Sequence, residues 1–349
     1  MSLDLEIIRG RYFSDLLAQP EALRATWDSL RDSAVFDQIN RTLRADRFER
    51  VVLTGMGSSY FGLHPLSIEM AARGWTPLML ETSELIHYYP HLLEPSTLVI
   101  AVSQSGKSVE MLRMLEITAR KATVIAVTNH ADSPVAREAN MTVLTAAGDE
   151  YSVSCKTYVA AQMALSALGA ALCGVNPITR LDELQQAAAL VEDYLGRWQS
   201  HVAEFADVLS ETRGIFLVGR GPSLAAARTG ALVIKESDHF HAEGMSSAAF
   251  RHGPFEMLKA GIFVGVFGGD EKTRKLNDGL LRDVARTPAK SALFAPDADI
   301  AACRVPEAPE AARAIVEILP VQIITLALAA MAGREPGKFD RATKVTAVE

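Results

Sequence analysis

Cysteine is scarce in this sequence of 349 residues, with only three, at positions 155, 173 and 303. They share no metal-like spacing and are too few for a disulfide framework, so we expect a cytoplasmic protein rather than a cross-linked secreted one. His239 and His241 are two residues apart and would point to different sides of a helix, unlike the pair in H-E-x-x-H. We therefore predict no bound metal.

Basic residues are also fewer than acidic ones. The sequence has 35 Lys and Arg and 42 Asp and Glu, which gives a formal net charge of -7. This balance offers no electrostatic reason to expect a nucleic acid partner. No apolar run reaches about 18 uninterrupted residues, and the opening MSLDLE lacks the apolar core of a signal peptide, so no membrane partner is predicted. An anionic ligand would have to be held by local groups.

The sequence does contain short apolar, β-branched runs separated by segments of helical length, which is typical of parallel sheets with crossover helices. The runs lie at 51–55, 76–81, 97–103, 122–129 and 141–146, and again at 214–219, 261–269 and 290–296. VVLTGMGSS (51–59) recurs as IFLVGRGPS (215–223), so the chain looks duplicated. We predict an α/β protein of two domains, since a chain of this length exceeds one usual core.

The domain boundaries are predicted from the same pattern. The segments are a helical lead-in (1–45), a first α/β domain (46–178), a bridging helix (179–210), a second α/β domain (211–332) and a C-terminal tail (333–349). The bridge has no Pro-rich or Gly-rich linker, so we expect the two halves to pack together.

Two glycine motifs resemble nucleotide-binding loops without completing them. The Gly-Lys-Ser at 106–108 lacks the first glycine of a phosphate loop, whose place is taken by Ala101. GMGSSY puts Tyr60 where the third glycine of a dinucleotide fingerprint would fall. We therefore predict neither an NTPase nor a dinucleotide cofactor.

The segment SQSGKS (103–108) follows a buried strand and precedes an amphipathic helical segment. Its amides and hydroxyls would gather at a helix N-terminus, which suits one phosphate group without a metal. An ordinary capped turn would use the same residue types. The matching loop of the second copy, VFGGDEKT (266–273), has lost these serines and gained two acids, so phosphate binding is predicted for the first half.

The segment KESDHFHAEGMSSAAFRHGPFEML (235–258) contains three histidines and three carboxylates between Glu236 and His252. A histidine and a buried glutamate are the usual groups for moving protons beside a carbonyl. Interdomain hydrogen bonding would call for the same residues, and the pattern alone leaves both interpretations open.

The motifs GMGSSY, SQSGKS, EYSVSCKTY and IKESDHFHAE followed by FRHGP, in this order and in a duplicated frame, resemble the sugar isomerase (SIS) superfamily. More closely, it resembles the isomerase half of glucosamine-6-phosphate synthase and its stand-alone relatives. The resemblance implies two tandem SIS domains, each a five-stranded parallel sheet flanked by helices in three α/β/α layers. It also implies a sugar phosphate ligand, no cofactor, and a homodimer with shared active sites.

The same resemblance implies roles for individual residues. Those that would contact the phosphate and the sugar are Gly57, Ser58, Ser59, Ser103, Gln104, Ser105 and Ser108 and, across a one-residue gap, Ser154 and Cys155. Glu236 would move a proton between the first two carbons of the sugar, and His252 would open the ring. Lys344 would meet the open-chain carbonyl as an imine.

The sequence also departs from the family pattern. Val233 and Ala249 replace a lysine and an acid, and the opening lacks the N-terminal cysteine of a glutaminase, so glutamine is not expected as a nitrogen source. We expect an amino-sugar phosphate to be opened, isomerised and hydrolysed to a ketose phosphate and ammonia. The alternatives are a deglycase of phosphorylated sugar–amino-acid adducts, an aldose–ketose isomerase without an amine, and a non-catalytic regulator that binds phosphosugars.

Overall fold

A computed structural model describes residues 3–119, 121–341, 343 and 344. The chain divides into two compact units, each named here by its sheet. The five-stranded unit comprises the described residues of 21–149 and 156–186, with 343 and 344. The four-stranded unit comprises residues 3–20, 150–155 and 187–341.

The secondary structure elements are numbered in chain order. The strands are β1 (Arg50–Gly55), β2 (Pro77–Glu81), β3 (Thr97–Val102), β4 (Thr123–Thr128), β5 (Met141–Leu144), β6 (Gly214–Gly219), β7 (Ala242–Ser246), β8 (Ile262–Phe267) and β9 (Lys290–Phe294). The helices are α1 (Arg11–Leu17), α2 (Gln19–Arg31), α3 (Val35–Ala45), α4 (Ser58–Phe61), α5 (His64–Ala72), α6 (Thr82–Tyr88), α7 (Val109–Thr118), α8 (Pro134–Glu138), α9 (Lys156–Leu172), α10 (Pro177–Leu184), α11 (Ala187–Leu195), α12 (Trp198–Val208), α13 (Leu224–Asp238), α14 (Ser247–Arg251), α15 (Glu271–Val284), α16 (Arg313–Val316) and α17 (Leu319–Ala332). Short 3₁₀ turns lie at Pro90–Leu92, Gly221–Ser223, Pro254–Met257, Ala301–Cys303 and Glu310–Ala312.

The five-stranded sheet is parallel throughout, in the order β2-β1-β3-β4-β5. Every residue of β3 is buried, and so are all but the first of β1 and of β4. Strands covered by helices on both faces need continuous apolar runs, which explains why these segments could be recognised from sequence. Val99 and Val124 pack with Met111 and Met114 of α7 in the core of one face. The predicted α/β fold with parallel sheets is confirmed.

The second sheet is also parallel, in the order β7-β6-β8-β9, which repeats the order of the first four strands of the other sheet. The prediction of five strands here is wrong for the described residues. At the repeat offset of 164 residues, the counterpart of β5 is VPEA (305–308). Pro306 has no amide to donate to a strand ladder, and residues 304–309 form neither strand nor helix between the 3₁₀ turns at Ala301–Cys303 and Glu310–Ala312.

The predicted bridging helix is three helices, α10, α11 and α12. The second interruption falls at Gly196 and Arg197, where glycine weakens the helix. Further on, the segment Glu310–Ala332 is long and apolar enough to cross a membrane, but 94% of its most apolar window is buried inside the protein. Such burial is what a core helix of a globular unit requires.

Candidate active-site elements

The loops that follow β1 and β3 lie side by side at the carboxyl edge of the five-stranded sheet. The two strands are neighbours, and Gly55 is in register with Val102. A Cβ added at Gly55 would lie 3.0 Å from the carbonyl oxygen of Val102 and 3.1 Å from the carbonyl carbon of Ser59. The sheet therefore brings Gly57, Ser58 and Ser59 close to the segment 103–108. Open α/β sheets bind their ligands at this edge.

Two glycines give these loops their sharp turns. Gly57 has φ 53° and Gly106 has φ 59°, a region that other residues rarely adopt. A Cβ at Gly106 would also lie 2.3 Å from the hydroxyl oxygen of Ser133. Glycine at position 106 therefore avoids both the strain of the positive φ and a clash with Ser133.

The hydroxyls of Ser103 and Ser105 shape their own loop. The Gly106 amide donates to Ser103 Oγ at 3.1 Å, and the Lys107 amide donates to Ser105 Oγ at 3.2 Å. A serine hydroxyl that accepts one hydrogen bond still has its own hydrogen to donate. Both serines therefore support the turn and can donate to an anion, although Ser103 is buried.

Ser108 is the N-cap of α7, yet its side chain makes no capping hydrogen bond. The first amides of a helix have no partner within the helix, so α7 presents unpaired donors next to an uncommitted hydroxyl. Gln104 is held by other contacts: its Nε2 lies 3.4 Å from His130 Nε2, and its carbonyl accepts from the Asn129 amide at 3.1 Å. Glu110, in the first turn of α7, is buried, and its Oε2 has no hydrogen-bond partner among the described residues.

Ser154 and Cys155 belong to the four-stranded unit. Cys155 is fully buried; its amide donates to Glu150 Oε1 at 2.9 Å, and its thiol lies 3.5 Å from the same oxygen. The segment 150–155 lies beside Tyr12. The pKa of Tyr12 is raised mainly by burial, and the charges of Cys155 and Glu150 raise it further.

The same cluster includes the last turn of α13, which carries Glu236. The charge of Asp238 contributes to the raised pKa of Tyr12, which links Tyr12 to the end of α13. The Gly337 amide also donates to the Ser237 carbonyl of α13 at 3.1 Å. Asp238 is itself 8% exposed, and neither carboxyl oxygen has a hydrogen-bond partner among the described residues. Burial raises the pKa of the Asp238 carboxyl well above the ordinary value, which favours its neutral form.

Sequence reasoning did not group Tyr12, Glu150 and Asp238 into one cluster at the end of α13. Asp238 lies inside the polar segment that the sequence pattern singled out, and Glu150 begins the motif EYSVSCKTY. Tyr12 carried no such signal, because its contact with α13 spans more than 200 positions of the chain.

Glu236 and His252 lie on opposite faces of the four-stranded sheet. A Cβ at Gly230 of α13 would lie 3.0 Å from Leu217 Cδ1, so α13 packs on the face of Leu217. Phe250 of α14 packs on Phe216, whose side chain points to the other face. His252 follows α14 and is exposed, whereas Glu236 is half-buried. This chain does not bring the two groups together on one face.

Lys344 is half-buried and lies with the five-stranded unit.

Over the described ranges, no three His, Cys, Asp or Glu side chains are grouped so that they could hold a metal ion. His239 Nδ1 lies 3.4 Å from Asp340, and His241 Nε2 lies 3.6 Å from Glu243, so these histidines each face a carboxylate.

Comparisons with known proteins identify the repeated unit. A family model described as SIS domain matches residues 47–171. Glutamine–fructose-6-phosphate aminotransferase (isomerizing) from Thermococcus kodakarensis is 30% identical over 320 residues, which are 86% of this chain and 52% of that protein. The chain thus spans about half the length of this curated relative.

Two solved structures show the same fold. The C-terminal domain of glucosamine-fructose-6-phosphate aminotransferase from Francisella tularensis gives a TM-score of 0.83 at 20% identity, over 95% of this chain and 98% of that one. Tagatose-6-phosphate ketose/aldose isomerase from Escherichia coli gives 0.78 at 20% identity, over 97% and 98%. Residues 47–171 therefore form a SIS domain, and most of the chain is homologous to the isomerase domain of the glutamine–fructose-6-phosphate aminotransferases.

Proposed function

We propose that this chain is a cytoplasmic phosphosugar isomerase whose substrate is an amino-sugar phosphate. The loops after β1 and β3 hold the phosphate, and Glu236 carries a proton from the second carbon of the opened sugar to the first. Water then adds to the resulting imine carbon and ammonia leaves, which yields a ketose phosphate. The observation that carries the proposal is the pairing of two hydroxyl-rich turns at one carboxyl edge of a parallel sheet.

The donors at this edge suit a single phosphate. Four half-buried serines, Ser58, Ser59, Ser105 and Ser108, offer hydroxyl hydrogens, and the N-terminus of α7 offers amides. A monophosphate has several acceptor oxygens and needs several donors around one point. Because the chain carries a net charge of -7, local donors of this kind support anion binding better than the overall field does.

Glu236 is suited to act as the base because burial favours the neutral form of its acidic neighbour. Asp238 follows two residues later, and burial raises the pKa of its carboxyl well above the ordinary value. This shift lessens the negative charge that Glu236 would meet when it ionises. A half-buried carboxylate in the last turn of α13 also retains access to a ligand.

The placement of His252 supports a dimer with shared sites. If His252 opens the ring of the substrate whose proton Glu236 moves, the two groups must reach the same molecule. They lie on opposite faces of one sheet, so we propose that a second copy of the chain supplies His252 to each site. Lys344 would stabilise the open-chain carbonyl as an imine or by its charge.

The deglycase alternative draws no support from the two altered positions. Val233 is completely buried within α13, and Ala249 is exposed on α14. A buried valine contributes to the core and leaves no extra room for a larger amine. We therefore favour ammonia over an amino acid as the released amine.

A substrate panel tests the proposal. The purified chain would be incubated with hexosamine 6-phosphates, ketohexose 6-phosphates and fructosyl-amine 6-phosphates, and ammonia, free amine and isomerised sugar would be assayed. We expect ammonia from a hexosamine 6-phosphate. Amine release from the fructosyl adducts alone would favour the deglycase, and isomerisation without amine release would favour the simple isomerase. Tight binding without any turnover would identify a regulator.

A further inference from the structure

A cavity of about 210 Å³ lies at the carboxyl edge of the four-stranded sheet, where the second SIS-like copy could have kept a ligand site. Gly269, which follows β8, and Phe294, which ends β9, contribute to its wall. This volume is below the range of about 300–1,000 Å³ that is typical of pockets for drug-sized molecules, so the cavity suits a smaller ligand.

The N-terminus of α15, beside this cavity, is capped by a carboxyl side chain of the protein itself. Asp270 caps α15, and its Oδ1 accepts from the Thr273 amide at 3.1 Å and from the Thr273 hydroxyl at 2.8 Å. In the five-stranded unit the equivalent N-cap, Ser108, makes no such bond. The Asp270 carboxylate occupies one of the amides that would otherwise attract a phosphate and puts an acid at that helix start, so the cavity calls for a different ligand.

One acid in the cavity wall is only half satisfied. Glu317 is 4% exposed; its Oε1 accepts from the Ser223 hydroxyl at 2.9 Å, and its Oε2 is buried without a partner in the described part of the chain. A buried polar atom without a hydrogen bond costs free energy. A ligand that donates a hydrogen bond to this oxygen would remove that cost.

One cation in the wall is also uncommitted. Arg313 is half-buried and lines the cavity, and its guanidinium has no hydrogen bond or ion pair in the ranges that the structure describes. The other arginine of the wall, Arg274, is already paired with Asp297 at 2.8 and 2.9 Å and with Asp278 at 2.7 Å. Arg313 is therefore the cation that a ligand can engage.

Arg313 and Glu317 are one helical turn apart, at the spacing that lets side chains meet. They line one cavity, yet no contact within 4.0 Å joins the guanidinium and the carboxyl. We propose that an α-amino acid with a short apolar side chain binds here, its carboxylate on Arg313 and its ammonium on Glu317. Apart from the paired Arg274 and the exposed Glu307, the remaining wall is apolar and would hold the side chain of the amino acid. It includes Ala295, Pro296, Val305, Pro306 and Val316.

The inference does not depend on the proposed function, because it concerns a separate cavity and is tested by binding. Thermal unfolding and calorimetry would be measured with glycine, alanine, valine and leucine. Isobutylamine, isobutyrate and inorganic phosphate serve as probes that carry one kind of charge. We expect valine or alanine to raise Tm, by about 5 °C at a hundredfold excess over Kd. The three probes of one charge type should leave Tm unchanged at the same concentration.

Two variants and two matched controls locate the site. Arg313→Gln and Glu317→Gln should each weaken amino acid binding by at least about thirtyfold, because each leaves one ligand charge unpaired. Arg282→Gln and Glu310→Gln change exposed residues outside the cavity and should leave binding intact. Glu317→Gln keeps an acceptor for Ser223, so it should fold even if Arg313→Gln does not.

Three outcomes would overturn the proposal. The first is that no amino acid of the panel binds to the wild-type chain. The second is that Glu317→Gln binds as well as the wild type. The third is that phosphate binds as tightly as the amino acids and loses affinity in Arg313→Gln, which would make this an anion site.

Discussion

The ring of Phe250 lies 5.1 Å from the ring of Phe216, centre to centre, and this contact holds α14 on one face of the four-stranded sheet. The next residue of the strand, Leu217, points to the other face and meets α13. His252 follows α14 and Glu236 lies on α13, so the two candidate acid–base groups are separated by the sheet.

This separation predicts that two inactive variants complement each other. Glu236→Gln and His252→Asn should each be inactive alone. If sites are shared across a dimer, random mixing makes half of the dimers mixed, and one of the two sites in each mixed dimer has both natural groups. Co-expressed chains should therefore recover about a quarter of the wild-type activity, measured as product release.

The control for complementation is a mixture of Glu236→Gln with Glu236→Ala, which has no intact site in any combination. Native mass spectrometry would establish that mixed dimers are present. Mixed dimers of the first pair that remain inactive would contradict shared sites.

The loop after β3 yields a second prediction. Ser108→Ala should raise KM for the sugar phosphate about tenfold, since it removes a hydroxyl donor worth about 1–1.5 kcal/mol, and should leave the unfolding free energy unchanged because Ser108 makes no capping bond. Steady-state kinetics and urea unfolding would measure the two effects.

Asn176→Ala provides the opposite case in the same unit. Asn176 is exposed and caps α10 by accepting from the Ile178 amide at 2.9 Å. Its removal should lower the unfolding free energy by about 1 kcal/mol without changing KM. If Ser108→Ala behaved like Asn176→Ala, the serine would be a structural cap rather than a ligand.

The sequence could predict the strands that carry the loops because their burial on both faces requires continuous apolar runs. The run TLVIAV of β3 leaves little alternative to a buried strand, and the serines that follow it must then lie at the carboxyl edge. The absence of a fifth strand from the second sheet, among the described residues, could not be predicted by analogy with the first. Pro306 changes the hydrogen-bonding capacity of the segment that duplication alone would make a strand.

The surroundings of Glu236 were beyond sequence reasoning for a different reason. Tyr12 and Gly337 meet the end of α13 only because the chain folds back from both termini. Such contacts leave no periodic signal, since they involve single residues far apart in the chain. The raised pKa of Asp238 depends on that burial, so it could not be inferred from the acid-rich segment itself.

Glu236→Gln should lower kcat by about a hundred- to ten-thousandfold, which is the contribution of one positioned general base, while the substrate still raises Tm. The matched control is Glu256→Gln, which changes an exposed acid in the same unit and should keep full activity. Turnover that survives in Glu236→Gln would remove this residue from the mechanism without affecting the assignment of the phosphate loops.

Glu317 predicts a dependence of stability on pH. Burial raises the pKa of this carboxyl from 4.5 to about 7, and the nearby charge of Asp270 adds to the effect. The unfolded chain releases this proton near pH 4.5, whereas the folded chain keeps it until about pH 7, so the folded state binds more protons between these values. The group therefore costs no stability below pH 4.5, and its cost grows as the pH rises towards 7. Glu317→Gln removes that cost, so its unfolding free energy should exceed that of the wild type by as much as ~3 kcal/mol at pH 8 and by far less at pH 5.

Urea unfolding at both pH values measures the difference, with exposed Glu310→Gln as the control that should show no such change. An equal effect of Glu317→Gln at pH 5 and pH 8 would mean that the wild-type carboxyl is not held protonated by burial.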